Sequence, residues 1–349
     1  MTLAKTRASR WIWITWERQR RSVEMARALG CKLYVFDYSG SFRYVRCIFS
    51  TLFACLRDRP KILFVQNPSM VLAVFAACMR PLGRFALVVD RHSSFRVGKQ
   101  YVCARDRNRV LRRLVEACNS YSIRRADITI VTNAFLADVV KRYGGVPFIL
   151  PDKLPDIECA NPFQVAVREG ARVLLVSSFG RDEPVEEAVE AMRMLLNEDV
   201  VMHVSGNCRK LRDSVLRGAP SNVVFTGFMA EDEYLATLCA SDAVIALTTS
   251  DHTMLCGCYE AVAAGKPLIT SDKKVLVDYF SGARFVSNEA DSIREAIVDV
   301  LFLNREKYLA ETRKMQIALA KSWGERFIGL CQVLEGLRRS DEELGDCGN

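Results

Sequence analysis

No apolar run in this sequence is long enough to cross a bilayer: the longest clean stretch near its front, Met70 to Met79, is about half the roughly 20 residues a spanning helix requires. Trp11 to Trp16 is too short for the apolar core of a secretory signal and runs straight into Glu17-Arg18-Gln19-Arg20-Arg21. A cytosolic protein, soluble or apposed to a membrane, is therefore expected. Histidine is also sparse, with three in 349 residues. Neither Cys256 nor Cys258 has the second close cysteine pair or spaced histidine that a zinc site uses, so no metal is expected. Both G-x-G-x-x-G and G-x-x-x-x-G-K-[ST] are missing, which argues against an ordinary dinucleotide enzyme and against a P-loop ATPase.

What is present is a chain able to fill two cores, half of it apolar by residue type. Its 13 cysteines are dispersed, and several, such as Cys55, Cys78 and Cys239, sit inside apolar runs; buried thiols in a reducing compartment are the reading that fits. Charge is uneven. Residues 1 to 165 carry 28 Lys and Arg against 12 Asp and Glu, net +16, and residues 166 to 349 carry 21 against 29, net −8. The basic half suits phosphate, a diphosphate-bearing substrate or an anionic membrane surface. Nucleic acid is a poorer fit, because the positives, Arg105 to Arg113 included, are mixed through amphipathic segments without a nucleic-acid motif.

Short apolar strands alternate with longer amphipathic segments. Strands are predicted at 11–15, 32–36, 62–65, 85–89, 128–131 and 148–150, with helices at 20–29, 43–57, 69–79, 107–124 and 133–142. A second series begins at Arg172 and places strands at 200–205, 223–226, 243–247 and 268–270, with helices at 184–197, 231–240 and 255–264 and a mostly helical end from 291. The pattern predicts an α/β chain of two Rossmann-like parallel-sheet domains facing a cleft, residues 1–160 and 161–337, followed by a polar tail at 338–349. The connection is placed near 152–168, and the last helix is a candidate to pack back on the first domain.

Parallel sheets bind ligands beyond the carboxyl ends of their strands, which selects the candidate residues. In the second domain, "VSSFGRDEP" places Ser177, Ser178 and Gly180 where backbone donors can meet a diphosphate, and Arg209 and Lys210 follow a strand and Gly206. The loop before the helix at 255 supplies Asp251, His252 and Thr253, and Glu260 can accept both hydroxyls of a ribose. In the first domain, Gln19, Arg20, Arg21 and Ser22 open the first helix, Asn67 and Asn133 follow strands, and Asp90 and His92 follow another.

The order of these features resembles the GT-B-fold nucleotide-sugar glycosyltransferases, over nearly the whole chain and most closely over residues 172–272. "NVVFTGF" at 222–228 is similar to their Gly-aromatic turn at the donor base, which implies that role for Phe228. "YEAVAAGKPLITSD" at 259–272 resembles their E-A-x-A-x-G-x-P segment, and the glycogen-synthase-like members imply ribose binding by Glu260. The E-x7-E spacing of that superfamily would put a carboxylate at 252, where this chain has His252 with Asp251 one position earlier, so either residue is a candidate for the sugar. "LVSSFGRDE" looks like the serine-rich loop of the chitobiosyldiphosphodolichol mannosyltransferases. His92 resembles the post-strand cleft histidine of these two-domain nucleotide-sugar transferases, which implies a proton acceptor there, with Asp90 either its orienting partner or the base itself.

The resemblance implies transfer of a sugar from a UDP- or GDP-sugar to a glycan hydroxyl, the acceptor carried on a polyprenyl diphosphate, in cell-surface polysaccharide or glycolipid synthesis. Retention or inversion stays open, and no cofactor beyond the nucleotide sugar is implied. A nucleotide-sugar epimerase or hydrolase, or a nucleic-acid-binding protein, are the alternatives. Reversible attachment to anionic membranes on the cytoplasmic side is expected through the first domain, with Trp11 to Trp16 and Cys47 to Leu56 as its apolar stretches.

Overall fold

The computed structural model describes residues 10–66, 70–92, 109–159 and 170–346. It divides into two units, residues 1–153 with 323–349, and residues 154–322.

The N-terminal unit is built on six parallel strands in the order β2-β1-β3-β4-β5-β6: β1 (Trp11–Thr15), β2 (Lys32–Val35), β3 (Ile62–Gln66), β4 (Ala86–Asp90), β5 (Ile128–Val131) and β6 (Pro147–Ile149). Helices α1 (Arg20–Leu29), α2 (Arg43–Asp58), α3 (Met70–Gly83), α4 (Arg109–Arg125) and α5 (Ala134–Arg142) connect them. Side chains alternate between the sheet's two faces, and both faces are covered, so β1 is buried along its whole length. Ile12, Ile14, Leu63 and Val65 pack with Cys47 and Ala54 of α2 and Leu72 and Ala73 of α3. Trp11, Trp13 and Phe64 pack on the other face with Met25 and Leu29 of α1. The tryptophan run expected to reach a membrane is thus the interior of the sheet, with Trp13 fully buried. Gly30 ends α1 at φ 68°, a left-handed turn that turns the chain into β2.

The C-terminal unit repeats the plan with β7 (Ala171–Leu175), α6 (Val185–Arg193), β8 (Val200–Ser205), α7 (Asp213–Gly218), β9 (Val223–Gly227), α8 (Glu231–Ala240), β10 (Ala243–Ala246), α9 (Cys256–Ala263), β11 (Leu268–Ser271), α10 (Lys274–Tyr279), β12 (Arg284–Val286) and α11 (Ala290–Val298). Its parallel order, β12-β11-β10-β7-β8-β9, reverses direction between β7 and β10. A 42-residue helix, α12 (Arg305–Asp346), follows and runs through most of the stretch read as a polar tail. Its Met315 and Leu319 lie in a core of the C-terminal unit, and its Leu330 and Leu334 in a core of the N-terminal unit.

The predicted strands and helices are found within a few residues of their expected bounds. β12, α7 and α10 are additional; each has only three to six residues, too few for a periodic pattern to stand out. The cysteine expectation needs correction. Cys159 and Cys239 form a disulfide with a Cα–Cα distance of 5.3 Å, fastening the segment after residue 153 to the end of α8. Leu154 and Ile157 pack against the same core as Leu238, which brings the two sulfurs together. Cys78 and Cys256 are exposed rather than buried. Among the described residues no helix is long and apolar enough to cross a membrane.

Candidate active site

In the C-terminal unit the reversal of strand order opens a crevice, because the loops after β7 and β10 depart to opposite sides of the sheet. A cavity of about 580 Å³ lies there. Ser177 and Ser178 from the β7 loop, Gly206 after β8, Phe228 after β9, and Thr253, Gly257 and Glu260 around α9 all line it. Two glycines make this convergence possible. At Gly206, φ +108°, a Cβ would sit 2.1 Å from the Ser177 carbonyl oxygen, and at Gly257 it would sit 2.9 Å from Val176 Cβ. Larger residues would push the β8 loop and the start of α9 away from β7.

The Glu260 carboxylate accepts a 2.5 Å hydrogen bond from the Tyr234 hydroxyl of α8, which fixes it at the cavity wall. Phe228 is 89% exposed at the cavity lip, a flat apolar surface with no core to fill. The serine loop is organised by Glu183. Its carboxylate accepts from the Ser177 hydroxyl at 2.6 Å, the Ser178 amide and hydroxyl at 2.9 and 2.8 Å, and the Gly180 amide at 3.1 Å. These are the donors expected to meet a diphosphate, and here a carboxylate of the chain itself occupies them. Asp182 ties this loop to the next one, accepting from Thr248 Oγ1 at 3.0 Å while its carbonyl accepts from the Thr249 amide at 2.6 Å.

The other expected donor residues fall outside this lining. Arg209 is exposed in a 3₁₀ turn after Gly206, and the side chain of Lys210 lies outside the described residues. Asp251 is exposed and ion-paired with Lys273 at 3.4 Å. His252 has Nδ1 3.4 Å from Ser250 Oγ; burial lowers its pKa, against the opposing charges of Asp251 and Asp182.

The N-terminal unit carries a polar cluster at the carboxyl ends of β1, β3 and β4. Asp90 is buried and bound by Arg21 through both Nε and Nη2 at 3.0–3.1 Å. Arg21 also donates to Asp152 at 2.6 Å and to the Leu150 carbonyl at 2.9 Å. Burial alone would raise the Asp90 pKa, but the Arg21 and His92 charges outweigh it and hold the carboxyl well below the usual range. His92 Nδ1 lies 2.9 Å from Asp90 Oδ2, and its Nε2 lies 2.8 Å from Gln19 Oε1. Gln66 accepts from the Thr15 and Ser22 hydroxyls at 2.5 and 2.6 Å and donates to Gln19. Sequence reasoning missed Thr15 and Gln66, although both are polar residues ending apolar strands, and it missed Tyr234 and Glu183.

The remaining first-domain candidates have local partners. Arg20 pairs with Glu24 on the surface of α1 at 3.6 Å. Asn133 caps α5, accepting from the Leu136 amide at 3.0 Å, which is the use a helix start commonly makes of asparagine. Asn67 lies outside the described residues. Among the described residues no group of three or more His, Cys, Asp or Glu is placed to hold a metal.

Comparison with known proteins agrees with this architecture. The family described as glycosyl transferases group 1 matches residues 170–302. HepE of Anabaena, solved in complex with UDP-glucose, aligns at a TM-score of 0.69 and 12% identity over 93% of this chain and 99% of that one. A UDP-forming α,α-trehalose-phosphate synthase from Burkholderia xenovorans aligns at 0.68 and 14% identity over 92% and 98%. A Listeria monocytogenes protein described as a UDP-N-acetylglucosamine 2-epimerase aligns at 0.59 and 12% identity over 88% and 91%. No curated protein sequence matches. The chain therefore has the GT-B fold, two Rossmann-like units each on a parallel sheet. The stretch that matches the group 1 glycosyl transferases, residues 170–302, falls within its C-terminal unit.

Proposed function

We propose that this protein is a glycosyltransferase that moves a sugar from a UDP- or GDP-sugar to a hydroxyl of a growing glycan. The observation that carries the reading is the cavity at the β7/β10 reversal, inside the stretch that matches the group 1 glycosyl transferases, with Glu260 held by Tyr234 and an unpacked Phe228 at its lip. Glu260 would accept the ribose hydroxyls and Phe228 would stack on the base. The diphosphate would meet the Ser177–Gly180 donors once Glu183 releases them, with Arg209 and Lys210 supplying positive charge.

Proton removal from the acceptor is assigned to His92. Asp90 is bound on both oxygens by the Arg21 guanidinium and is a poor proton acceptor, so it serves to orient the imidazole. Gln19 stands at the other ring nitrogen, where an acceptor hydroxyl would take its place. Stabilising the departing diphosphate as charge develops is the task of the serine loop and the start of α9. The acceptor is proposed to be lipid-linked, and the enzyme to act in cell-surface polysaccharide or glycolipid synthesis.

Incubating the protein with a panel of nucleotide sugars and a lipid-linked glycan extract, then weighing the products, tests the reading directly. Acceptor mass should rise by one sugar with nucleoside diphosphate released. Conversion of the nucleotide sugar to an isomer, or to free sugar without acceptor, would instead identify an epimerase or hydrolase on this fold.

A further inference from the structure

Helix α2 (Arg43–Asp58) has two apolar faces, and the sheet uses only one. Cys47, Thr51, Ala54 and Cys55 are buried against β1 and its neighbours. Phe42, Val45, Phe49, Leu52, Phe53 and Leu56 recur at three- and four-residue spacing and form a stripe on the opposite side. That stripe faces outward: Phe42 is 74% exposed, Phe49 66%, Phe53 65% and Leu56 65%. Single exposed apolar side chains are ordinary, but five on one helix with a sixth at its N-cap make a contiguous patch of the kind that marks an interaction surface.

Charge indicates what covers it. The segment from Phe42 to Arg59 carries Arg43, Arg46, Arg57 and Arg59 against the single acid Asp58, within a half of the chain whose net charge is +16. Asp58 is engaged by Lys32, Arg57 and the Tyr34 hydroxyl, so its charge is already matched. Arg46 lies 4.4 Å from the Tyr38 ring centroid, at the side of the stripe. Two copies of the chain meeting through this face would set arginines against arginines. An anionic lipid surface offers an apolar interior for the phenylalanines and phosphates for the arginines at the same depth.

We infer that the outward stripe of α2 is the membrane-binding surface of the N-terminal unit, lying in the plane of an anionic lipid leaflet. Phe49 and Phe53 also line a groove of about 360 Å³ against Tyr34, Phe36 and Arg57 at the sheet edge, room for part of one lipid chain with a cation at its rim. The inference does not depend on glycosyl transfer, since a chain that binds no nucleotide would still bind vesicles.

The test is co-sedimentation of the full chain with phosphatidylcholine vesicles, with and without phosphatidylglycerol, at low and high salt. The wild type should partition at least tenfold more strongly to the anionic vesicles and be released by salt. Phe49→Ser with Phe53→Ser should lose at least tenfold, and Arg46→Glu with Arg57→Glu should abolish the preference for anionic lipid. Circular dichroism and UDP binding monitor the fold of each variant. Equal partition to both vesicle types, or equal binding by folded wild type and the Phe49/Phe53 variant, would overturn the inference. So would a wild-type dimer in sedimentation velocity that the phenylalanine substitutions dissociate without any change in vesicle binding.

Discussion

At the carboxyl end of its N-terminal sheet the chain places a closed polar cluster, whereas at the same end of its C-terminal sheet it leaves a cavity of about 580 Å³. Both sheets are six-stranded and parallel, and both present polar residues where apolar strands end. The difference lies in what those residues bind. Thr15, Gln19, Arg21, Ser22, Gln66, Asp90 and His92 mostly satisfy one another. Glu260 and Phe228 instead border open volume, and only the serine loop is filled, by Glu183. A cluster that closes on itself fixes side-chain orientation, while an open cavity bordered by polar groups and an unpacked ring is suited to a ligand of its own size.

The largest expected effect tests whether Asp90 is structural. Asp90→Ala leaves Arg21 buried with half its ion-pair partners and should cost about 3–5 kcal/mol in urea unfolding. The pH dependence has a definite sign. A folded pKa below the unfolded value of about 3.9 means stability present at neutral pH and lost as pH falls below about 4. Acid unfolding of a folded Asp90→Asn protein should therefore be less steep than that of wild type; an unchanged slope would show that Asp90 is not held as a buried anion.

Next comes His92, whose side chain is 10% exposed and whose loss removes no buried charge partner comparable to Arg21. His92→Ala should unfold near the wild-type midpoint and bind UDP normally, yet transfer sugar about 100-fold more slowly or worse. Near-normal transfer would remove the proton-acceptor assignment and erase the functional half of the comparison.

For the open site, Glu260→Gln keeps the shape and removes the charge. Calorimetry should show nucleotide binding about tenfold weaker, and unchanged affinity would reject ribose recognition there. The smallest effect concerns the filled loop. If Glu183 occupies donors that a diphosphate needs, Glu183→Gln should bind UDP or GDP about threefold to tenfold more tightly, within about 1.4 kcal/mol. Weaker binding would mean instead that Glu183 holds the loop in its productive shape.

Much of the architecture was legible because it depends on local pattern. WIWIT, ILFVQ and ALVVD read as buried strands from apolar continuity, and Gly30 and Gly265 end helices because they adopt a left-handed turn, φ 68° at both. Glu260 could be chosen from the sequence because it sits in a helix a fixed distance before the glycine that ends it, and the structure places it on the cavity wall. Gln66, Thr15, Tyr234 and Glu183 could not be chosen that way. Each gains its significance from partners 3 to 51 positions away that meet it only once the loops and strands are folded, a relation that no local period encodes.

The sequence by itself determined the two α/β series, the split of charge between them and the positions at which strands give way to polar loops. Those follow from periodicity and from backbone geometry at glycine and proline, which act over a few residues. The tertiary structure decided which polar residues became structure and which stayed available. It turned Asn133 into a helix cap and Arg21 into the clamp on Asp90, drew Cys159 to Cys239, buried the tryptophans of β1 and left the phenylalanines of α2 outside. The physical reason is that burial and partnership are properties of contacts made across the sheet, and two stretches of similar composition are told apart only when one becomes a central strand and the other a surface helix.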